Sequence, residues 1–544
     1  LSSERNDLSF CGQGVTIRLT PWSIYLKPAS GLKIPGIHVN RITGWGRLPL
    51  TPFICRIVAE ALEDIPEEVR RLALATEFME SYRRQSQDPT LPDPPGKTSW
   101  WSHQKQAFYL FKQMFDAGYR GVGLFSALGT GKSKVAIGLA DALQADMILC
   151  VGPRSASLVW HREFRKHADR NYQIVLPDMS VSVEERLRRI QLRFRHTRLP
   201  KVAIVNYDAV WRPPLGNWIL DQAWDLVIAD EVHRIKTPKS QISLFMARLR
   251  DRAKYRMGLT GTPLHHRPLD IWAVYRFLDP GVYGMDYWSF RHRYSSVRNT
   301  QGPEQYQHEQ EFSEKLYSIA FRAGEEVLRL PETVHQYVYG ELRESAKVYN
   351  QIERAVIAEI KAGRVTIHNA LVRLVRLQQV TSGHIRDDKH RLIVVGTEKE
   401  DLFADLLTDL PDEPFVVFCQ FTYDLERVEA LVMKSKRSYA EYSGQRDELA
   451  VWRSGKKDVL GVQIRTGATS EDFTRARYAI YYSFGLSLGD YEQSLKRVHR
   501  AGQTRPVTYI HLLLENTIDQ RKMKFLEARA DLIQGLLDEY LHSR

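Results

Sequence analysis

The sequence predicts an α/β chain of two parallel-sheet blocks in tandem, preceded by a small accessory domain. Three observations carry that prediction. Short apolar runs alternate with amphipathic helical stretches, the rhythm of strands buried on both faces between helices. That rhythm occurs twice, on either side of a charged, helical middle. A Pro-rich run then sets the N-terminal residues apart from everything that follows.

The elements follow in order along the chain. Residues 1–97 open with segments punctuated by Gly and Pro, such as Gly44-Trp45-Gly46, and continue into a charged helical stretch over 52–84. The run Asp88-Pro89-Thr90-Leu91-Pro92-Asp93-Pro94-Pro95-Gly96 reads as the linker that closes this domain. Residues 98–285 form the first block, with buried strands expected at 147–151, 202–205 and 226–229. Residues 286–395 are the helical separator. The second block, 396–518, has strands expected at 415–418 and 478–482. Residues 519–544 carry Met523, Leu526, Ala530, Leu532, Ile533, Leu536 and Leu537 at helical spacing. They read as a brace helix packed back on the chain, or as a partner-binding helix.

Bulk properties narrow the function. The 544 residues are 43% hydrophobic and 26% charged, enough apolar mass for more than one core. No run approaches the roughly 18 apolar residues of a membrane span, and the polar, mixed-charge residues 1–7 predict no secretory signal. The formal charge is +12, with a pI near 9.3. Such a field favours a polyanionic partner, nucleic acid first, although a merely soluble basic protein has the same balance. Cys11, Cys55, Cys150 and Cys419 form no CxxC pair, which argues against a zinc site and for a reducing, intracellular setting.

Two motifs carry chemistry. An apolar stretch ending in Leu124-Phe125 leads into Ser126-Ala127-Leu128-Gly129-Thr130-Gly131-Lys132-Ser133 and then an amphipathic helix. In such a strand, loop and helix the glycines turn backbone N–H groups inward around phosphate oxygens. Gly129, Thr130 and Gly131 would cradle ATP phosphates, Lys132 would reach the β- and γ-phosphates, and Ser133 would ligate Mg²⁺. Ser126 stands where the strict motif has its first Gly. The bland alternative is a Gly-rich turn before a helix. Asp230-Glu231-Val232-His233 follows the third apolar run. At the C-terminal end of a parallel strand, Asp230 would hold Mg²⁺ and Glu231 would orient or deprotonate a water. Taken alone, the pair could equally be a solvated turn.

With these residues in place, the chain resembles helicase superfamily two, specifically its Swi/Snf-type branch, across residues 98–525. The matches fall in order: His103-Gln104, the segment 153–160 with Glu163-Phe164, Tyr207 at a strand end, and His233-Arg234-Ile235-Lys236. Leu259-Thr260-Gly261-Thr262-Pro263 and Phe277-Leu278-Asp279-Pro280 follow. The second block adds Phe418-Cys419-Gln420-Phe421-Thr422, Tyr442-Ser443-Gly444, and the stretch from Gln493 through Arg497 and Arg500 to Thr504. Two places depart from the pattern. Residues 466–473 keep only Gly467 and Asp472 of a usually Gly-rich loop. His265-His266-Arg267-Pro268 is more similar to the annealing-helicase (HARP-like) subgroup. The missing lobe insertions resemble compact bacterial or viral members.

The resemblance implies two RecA-like lobes with ATP and Mg²⁺ between them and Gln104 reading adenine. It makes Thr260, Gly261 and Thr262 the coupling motif, with Gln493, Arg497 and Arg500 joining Lys132 and Glu231 in catalysis. Arg497 and Arg500 would face the γ-phosphate; a solvated basic helix is the alternative. Arg154, Ser155, Tyr207, Lys236, Thr422 and Gln463 would touch DNA through its backbone, with little sequence specificity. The implied activity is a DNA-stimulated ATP hydrolase that translocates on double-stranded DNA. A strand-separating or RNA-directed helicase, or an inactive nucleic-acid-binding scaffold, are the rivals. The N-terminal domain and the C-terminal helix are the expected surfaces for protein partners. No membrane association is expected. The expected compartment is a bacterial or viral-host cytoplasm or nucleoid, or a nucleus.

Overall fold

The computed structural model describes residues 8–12, 15–20, 23–27, 43–153, 156–176, 181–261, 263, 268–296, 305–328, 330–361, 367–386, 391–464 and 471–528. Contacts divide the chain into two compact units, Leu1–Val327 and Leu328–Arg544. Among the described residues no helix is long and apolar enough to cross a membrane.

The first unit begins with an antiparallel meander of β1 (Leu8–Gly12), β2 (Val15–Thr20), β3 (Ser23–Lys27) and β4 (Gly46–Pro49). Alternation in β2 turns Val15, Ile17 and Leu19 inward. They meet Ile54, Cys55 and Val58 of the helix Pro52–Ala61, and Val69 and Leu72 of the helix Glu67–Leu74, in a core of their own. Polar contacts tie this domain to the sheet that follows. Thr51 Oγ1 donates to the buried Asp279 carboxylate (2.9 Å), and Tyr119 Oη donates to the Ala75 carbonyl (3.3 Å). The Pro-rich run is also held in place: Asp93 pairs with Lys105, and the Pro92 carbonyl accepts from Tyr109 (3.0 Å).

The large sheet of this unit contains β5 (Gly121–Leu124), β6 (Met147–Gly152), β7 (Gln173–Val175), β8 (Lys201–Asn206), β9 (Trp224–Asp230) and β10 (Ala253–Leu259). After a small hairpin, β11 (Ser295–Ser296) with β12 (Gln305–Tyr306), β13 (Ala320–Phe321) joins the sheet edge. The order is β13-β5-β10-β9-β6-β8-β7, and every pairing is parallel. Helices Tyr287–Tyr294 and Glu309–Ser318 pack on this unit through Tyr283, whose ring lies 5.2 Å from Phe290 and 5.3 Å from Phe312.

In the second unit β14 (Thr333–Gly340) precedes a hairpin of β15 (His384–Arg386) and β16 (Leu392–Val394). The strands β17 (Phe415–Cys419), β18 (Tyr439–Tyr442), β19 (Val459–Gln463), β20 (Tyr478–Tyr481) and β21 (Val507–Leu514) follow. The main sheet runs β14-β21-β20-β17-β19-β18, again parallel throughout. A buried ionic cluster lies beneath it. Asp519 Oδ2 is 2.7 Å from Lys399 Nζ, Asp519 Oδ1 is 3.3 Å from Lys522 Nζ, and Lys522 also donates to the Phe484 carbonyl (2.8 Å). The two parallel-sheet lobes agree with the predicted fold class. The expected apolar runs all lie within observed strands, namely β6, β8, β9, β17 and β20 with Tyr482 just after it. The segment 286–395, expected as a helical separator, also supplies β13 and β14, one edge strand for each main sheet. Beyond Ala528 the expected C-terminal helix lies outside the described residues; Ile518–Glu527 is helical.

Candidate functional site

The loop after β5 is shaped by two glycines in the left-handed region, Gly129 at φ +85° and Gly131 at φ +78°. A Cβ on Gly131 would lie 2.2 Å from Gln104 Nε2, so a larger residue there would both push that amide aside and strain a left-handed backbone. Gly131 caps the helix Lys132–Ala142, whose first turn carries Lys132 and Ser133. The loop folds on itself: Thr130 Oγ1 donates to the Ala127 carbonyl (2.7 Å), and Lys132 Nζ donates to the carbonyls of Ser126 (2.8 Å) and Ala127 (3.1 Å). Gln104 and His103 reach in from the helix Ser102–Asp116. Gln104 Nε2 donates to the Thr130 carbonyl (2.9 Å), while His103 Nε2 lies 2.9 Å from the same oxygen.

The acidic box follows β9. Glu231 has a left-handed backbone (φ +50°), a conformation uncommon outside glycine. Trp160 Nε1 donates to Asp230 Oδ2 (3.0 Å), the Glu231 N–H donates to Asp230 Oδ1 (3.0 Å), and Tyr207 Oη donates to the Asp230 carbonyl (2.9 Å). Burial lifts the Asp230 carboxyl to about 6, and the Glu231 charge beside it adds to the rise. The Trp160 N–H and the Lys132 ammonium pull the other way. The influence of Lys132 links the acidic box electrostatically to the phosphate loop.

Sheet register explains that proximity. Leu259 of β10 pairs with Leu124 of β5 on one side and Asp230 of β9 on the other. Phosphate loop, Thr260 and acidic box therefore emerge from the C-terminal ends of three neighbouring parallel strands, where such sheets place ligands. Thr260 is fully buried; its N–H donates to the Leu124 carbonyl (3.2 Å), and its Oγ1 lies 3.0 Å from His233 Nδ1. The same His233 nitrogen is 3.3 Å from Glu231 Oε2, so His233 joins the acidic box to the Thr260–Gly261 corner. Thr262 lies outside the described residues. The Ser133 hydroxyl and Asp230 carboxylate are hard oxygen donors, suited to Mg²⁺ completed by phosphate oxygens and water.

In the second unit Gln493 and Arg497 lie on the helix Leu488–Val498, and Arg500 lies just beyond it. Arg497 is buried, and its carbonyl accepts from the Phe473 N–H (2.9 Å). Arg500 Nη1 donates to the Glu471 carbonyl (3.2 Å), and the Glu471 carboxylate pairs with Arg453 (2.8 Å). The arginine segment is thus stitched to the end of the departing loop; Gly467 itself lies outside the described residues.

Of the expected DNA contacts, Lys236 belongs to the first unit and Thr422 and Gln463 to the second. Lys236 is 3.7 Å from Asp270, Thr422 begins the helix Thr422–Lys434, and Gln463 Oε1 accepts from the Gly444 N–H at 3.5 Å. Arg154 and Ser155 lie outside the described residues. Tyr207 corrects the expectation: its side chain is only 2% exposed and its hydroxyl is spent on the Asp230 carbonyl. It supports the acidic box from below and does not present a DNA-contacting surface. On the Arg-rich helix Val183–Arg195, Glu185 pairs with Arg188 (2.6 Å) and Arg189 (2.9 Å), as a solvated face would. The roles of His103 and Trp160 were not foreseen. Both residues stood inside quoted motifs, but contacts across 27 and 70 residues leave no local sequence signal.

The SNF2-related domain matches residues 65–384, and the helicase conserved C-terminal domain matches residues 398–502. The chain is 21% identical over 453 residues to an uncharacterized ATP-dependent helicase of Mycoplasma genitalium, covering 80% of this chain and 42% of that protein. It is 22% identical over 414 residues to the putative ATP-dependent helicase/translocase YwqA of Bacillus subtilis, covering 73% and 43%. The chain thus spans less than half the length of these two relatives. Among solved structures, the Sulfolobus solfataricus SWI2/SNF2 ATPase core in complex with dsDNA is similar at 19% identity. That match has a TM-score of 0.40 and covers 83% of this chain and 98% of that one.

Proposed function

The chain belongs to the SNF2-related family, and from that premise we propose that it hydrolyses ATP to translocate along double-stranded DNA. The observation that carries this reading is the convergence of phosphate loop, Thr260 and acidic box at three neighbouring strand ends. Backbone N–H groups of Gly129, Thr130 and Gly131 bind the phosphates, and Lys132 leaves the Ser126 and Ala127 carbonyls to reach the β- and γ-phosphates. Gln104 meets the adenine. Ser133 and Asp230 hold Mg²⁺, which supplies charge neutralisation at the transferring phosphoryl group. Glu231 orients the attacking water and takes its proton, and Arg497 and Arg500 offset the charge that develops. His233 reports the state of Glu231 to Thr260, the start of the coupling motif. Gln493 supports the arginine pair from its own helix.

DNA binding is proposed through phosphate-directed contacts from Lys236, Thr422 and Gln463, and from Arg154 and Ser155, which lie outside the described residues. The net charge of +12 supports a polyanionic partner, and the word translocase in the name of the Bacillus subtilis relative supports movement along it. The test compares ATP hydrolysis with double-stranded DNA, single-stranded DNA and RNA, alongside Glu231→Gln. Double-stranded DNA is expected to stimulate most, and E231Q to lose about 10²–10⁴-fold in rate, the usual worth of a general base. Stimulation by RNA alone would replace the double-strand reading with an RNA-directed one. Movement is read separately, by displacement of a triplex-forming strand from a duplex track.

The raised Asp230 carboxyl gives a pH prediction. In the folded chain it keeps its proton to a higher pH than a free aspartate does, so Mg²⁺ competes with a proton there as pH falls through about 6. At subsaturating Mg²⁺, hydrolysis should decline across that range. Trp160→Phe removes a donor that favours the charged carboxylate, so the decline should move to higher pH. An acid limb that stays put in W160F would show that another group controls it.

A further inference from the structure

The first residue of the phosphate loop is tied to a strand that Arg83, from the helix Met79–Ser86, holds in turn. Ser126 is 1% exposed, and its Oγ accepts from the Ala323 N–H at 3.1 Å. The Ala127 N–H donates to the Ala323 carbonyl (2.8 Å) and the Phe125 N–H to the Phe321 carbonyl (2.9 Å). The loop is therefore clamped by the chain that runs on from β13, at a position where a first glycine would offer no side-chain acceptor. Just before and within β13, the carbonyls of Tyr317 and Ala320 (the latter at 3.3 Å) accept from the Arg83 guanidinium. Arg83 belongs to the helix Met79–Ser86, whose Met79 and Tyr82 pack against the core of the large sheet.

We propose that Ser126 and Arg83 are positioning residues for the nucleotide, through which the strap running on from β13 sets the phosphate loop in its binding geometry. This rests on the reading of the loop as an ATP site. The physical argument is preorganisation. Phosphate oxygens need several loop N–H groups to converge, and Lys132 must exchange the Ser126 and Ala127 carbonyls for phosphate. Those two carbonyls hold their places because Ser126 Oγ and the Ala127 N–H are fixed to Ala323. A strap released at either end lets the loop sample non-binding shapes, and apparent affinity falls by the fraction of time spent in them. Arg83 touches no loop atom, yet its loss acts on the same strap.

Binding of a fluorescent ATP analogue to the full chain, with KM and kcat for ATP, tests this in S126A, S126T, R83M, R83K and the S126A/R83M pair. Ser126→Ala should weaken nucleotide binding by about 3- to 10-fold, the range for one lost neutral hydrogen bond, and Arg83→Met, which reaches the loop only through the strap, by a similar factor. The change should fall on KM, not kcat. Ser126→Thr, which keeps a hydroxyl, should recover most of the affinity, and R83K part of it. The double variant should lose less than the product of the single effects, because both act through β13. An R83M protein that binds the nucleotide like wild type, with or without a lower Tm, would overturn the proposal, as would fully multiplicative losses in the pair. Wild-type protein that binds no ATP analogue would instead remove the ATP reading itself, and this inference with it.

Discussion

Arg497→Ala and Arg500→Ala are each expected to lower the rate of ATP hydrolysis by about 10³–10⁵-fold, the range assigned to an arginine that neutralises charge during phosphoryl transfer. The loss should appear in kcat at saturating DNA, with nucleotide binding kept within about tenfold, because the interaction strengthens only as charge develops. Arg500→Lys should recover little. A lysine offers a point charge where the guanidinium offers a planar fork, and it would have to replace the contact that Arg500 Nη1 makes with the Glu471 carbonyl. Arg497 is buried, so its variant needs a matched melting curve to separate lost chemistry from lost structure. Rates within tenfold of wild type in both alanine variants would remove these residues from the catalytic assignment and favour the solvated basic helix.

Asp519→Ala should produce the largest loss of stability. Its carboxylate is buried between two ammonium groups, Lys399 at 2.7 Å and Lys522 at 3.3 Å, with each side chain about 1% exposed. Thr381 Oγ1 adds a hydrogen bond to Asp519 Oδ1 at 3.2 Å. Burial opposes ionisation of this carboxyl, yet the Lys399 and Lys522 charges outweigh it and hold it below its ordinary value. Burial pushes the Lys522 ammonium down to about 8. Truncating Asp519 leaves two buried cations facing one another, a change worth about 3–5 kcal/mol. Urea unfolding of the full chain should show the second unit melting early while the first unit keeps its midpoint. Replacing Lys399, Asp519 and Lys522 together with Met, Leu and Met should restore much of the loss, since the desolvation of all three charges is removed at once. A D519A midpoint unchanged within error would mean that water reaches the cluster.

How far the sequence could be read depended on whether the signal was local. The strands β6, β8, β9, β17 and β20 were legible because strands buried on both faces are continuous apolar runs. The phosphate loop and acidic box were legible because their chemistry needs fixed residue types at fixed spacing. β13 was not, being two residues long. β14 was not either: Thr333-Val334-His335-Gln336 is exposed at a sheet edge and has no apolar run to betray it. Tyr207 shows its motif position in the sequence but not its burial, so the sequence alone points to a DNA contact where the fold buries the side chain. His103, Trp160 and Ser126 act through partners far along the chain, at Thr130, Asp230 and Ala323. Only the folded register brings those pairs together.

That register also decides how force would be shared. β10 lies between β5 and β9, and Leu259 is level with both Leu124 and Asp230. Thr260, one residue further, is bonded to the Leu124 carbonyl on one side and to His233 on the other. A pull on the chain beyond Gly261 is therefore divided between the phosphate loop and the acidic box, as a load is between two springs fixed side by side. On the proposed ATP-site reading, a motor built this way would tighten or release both halves in the same stroke.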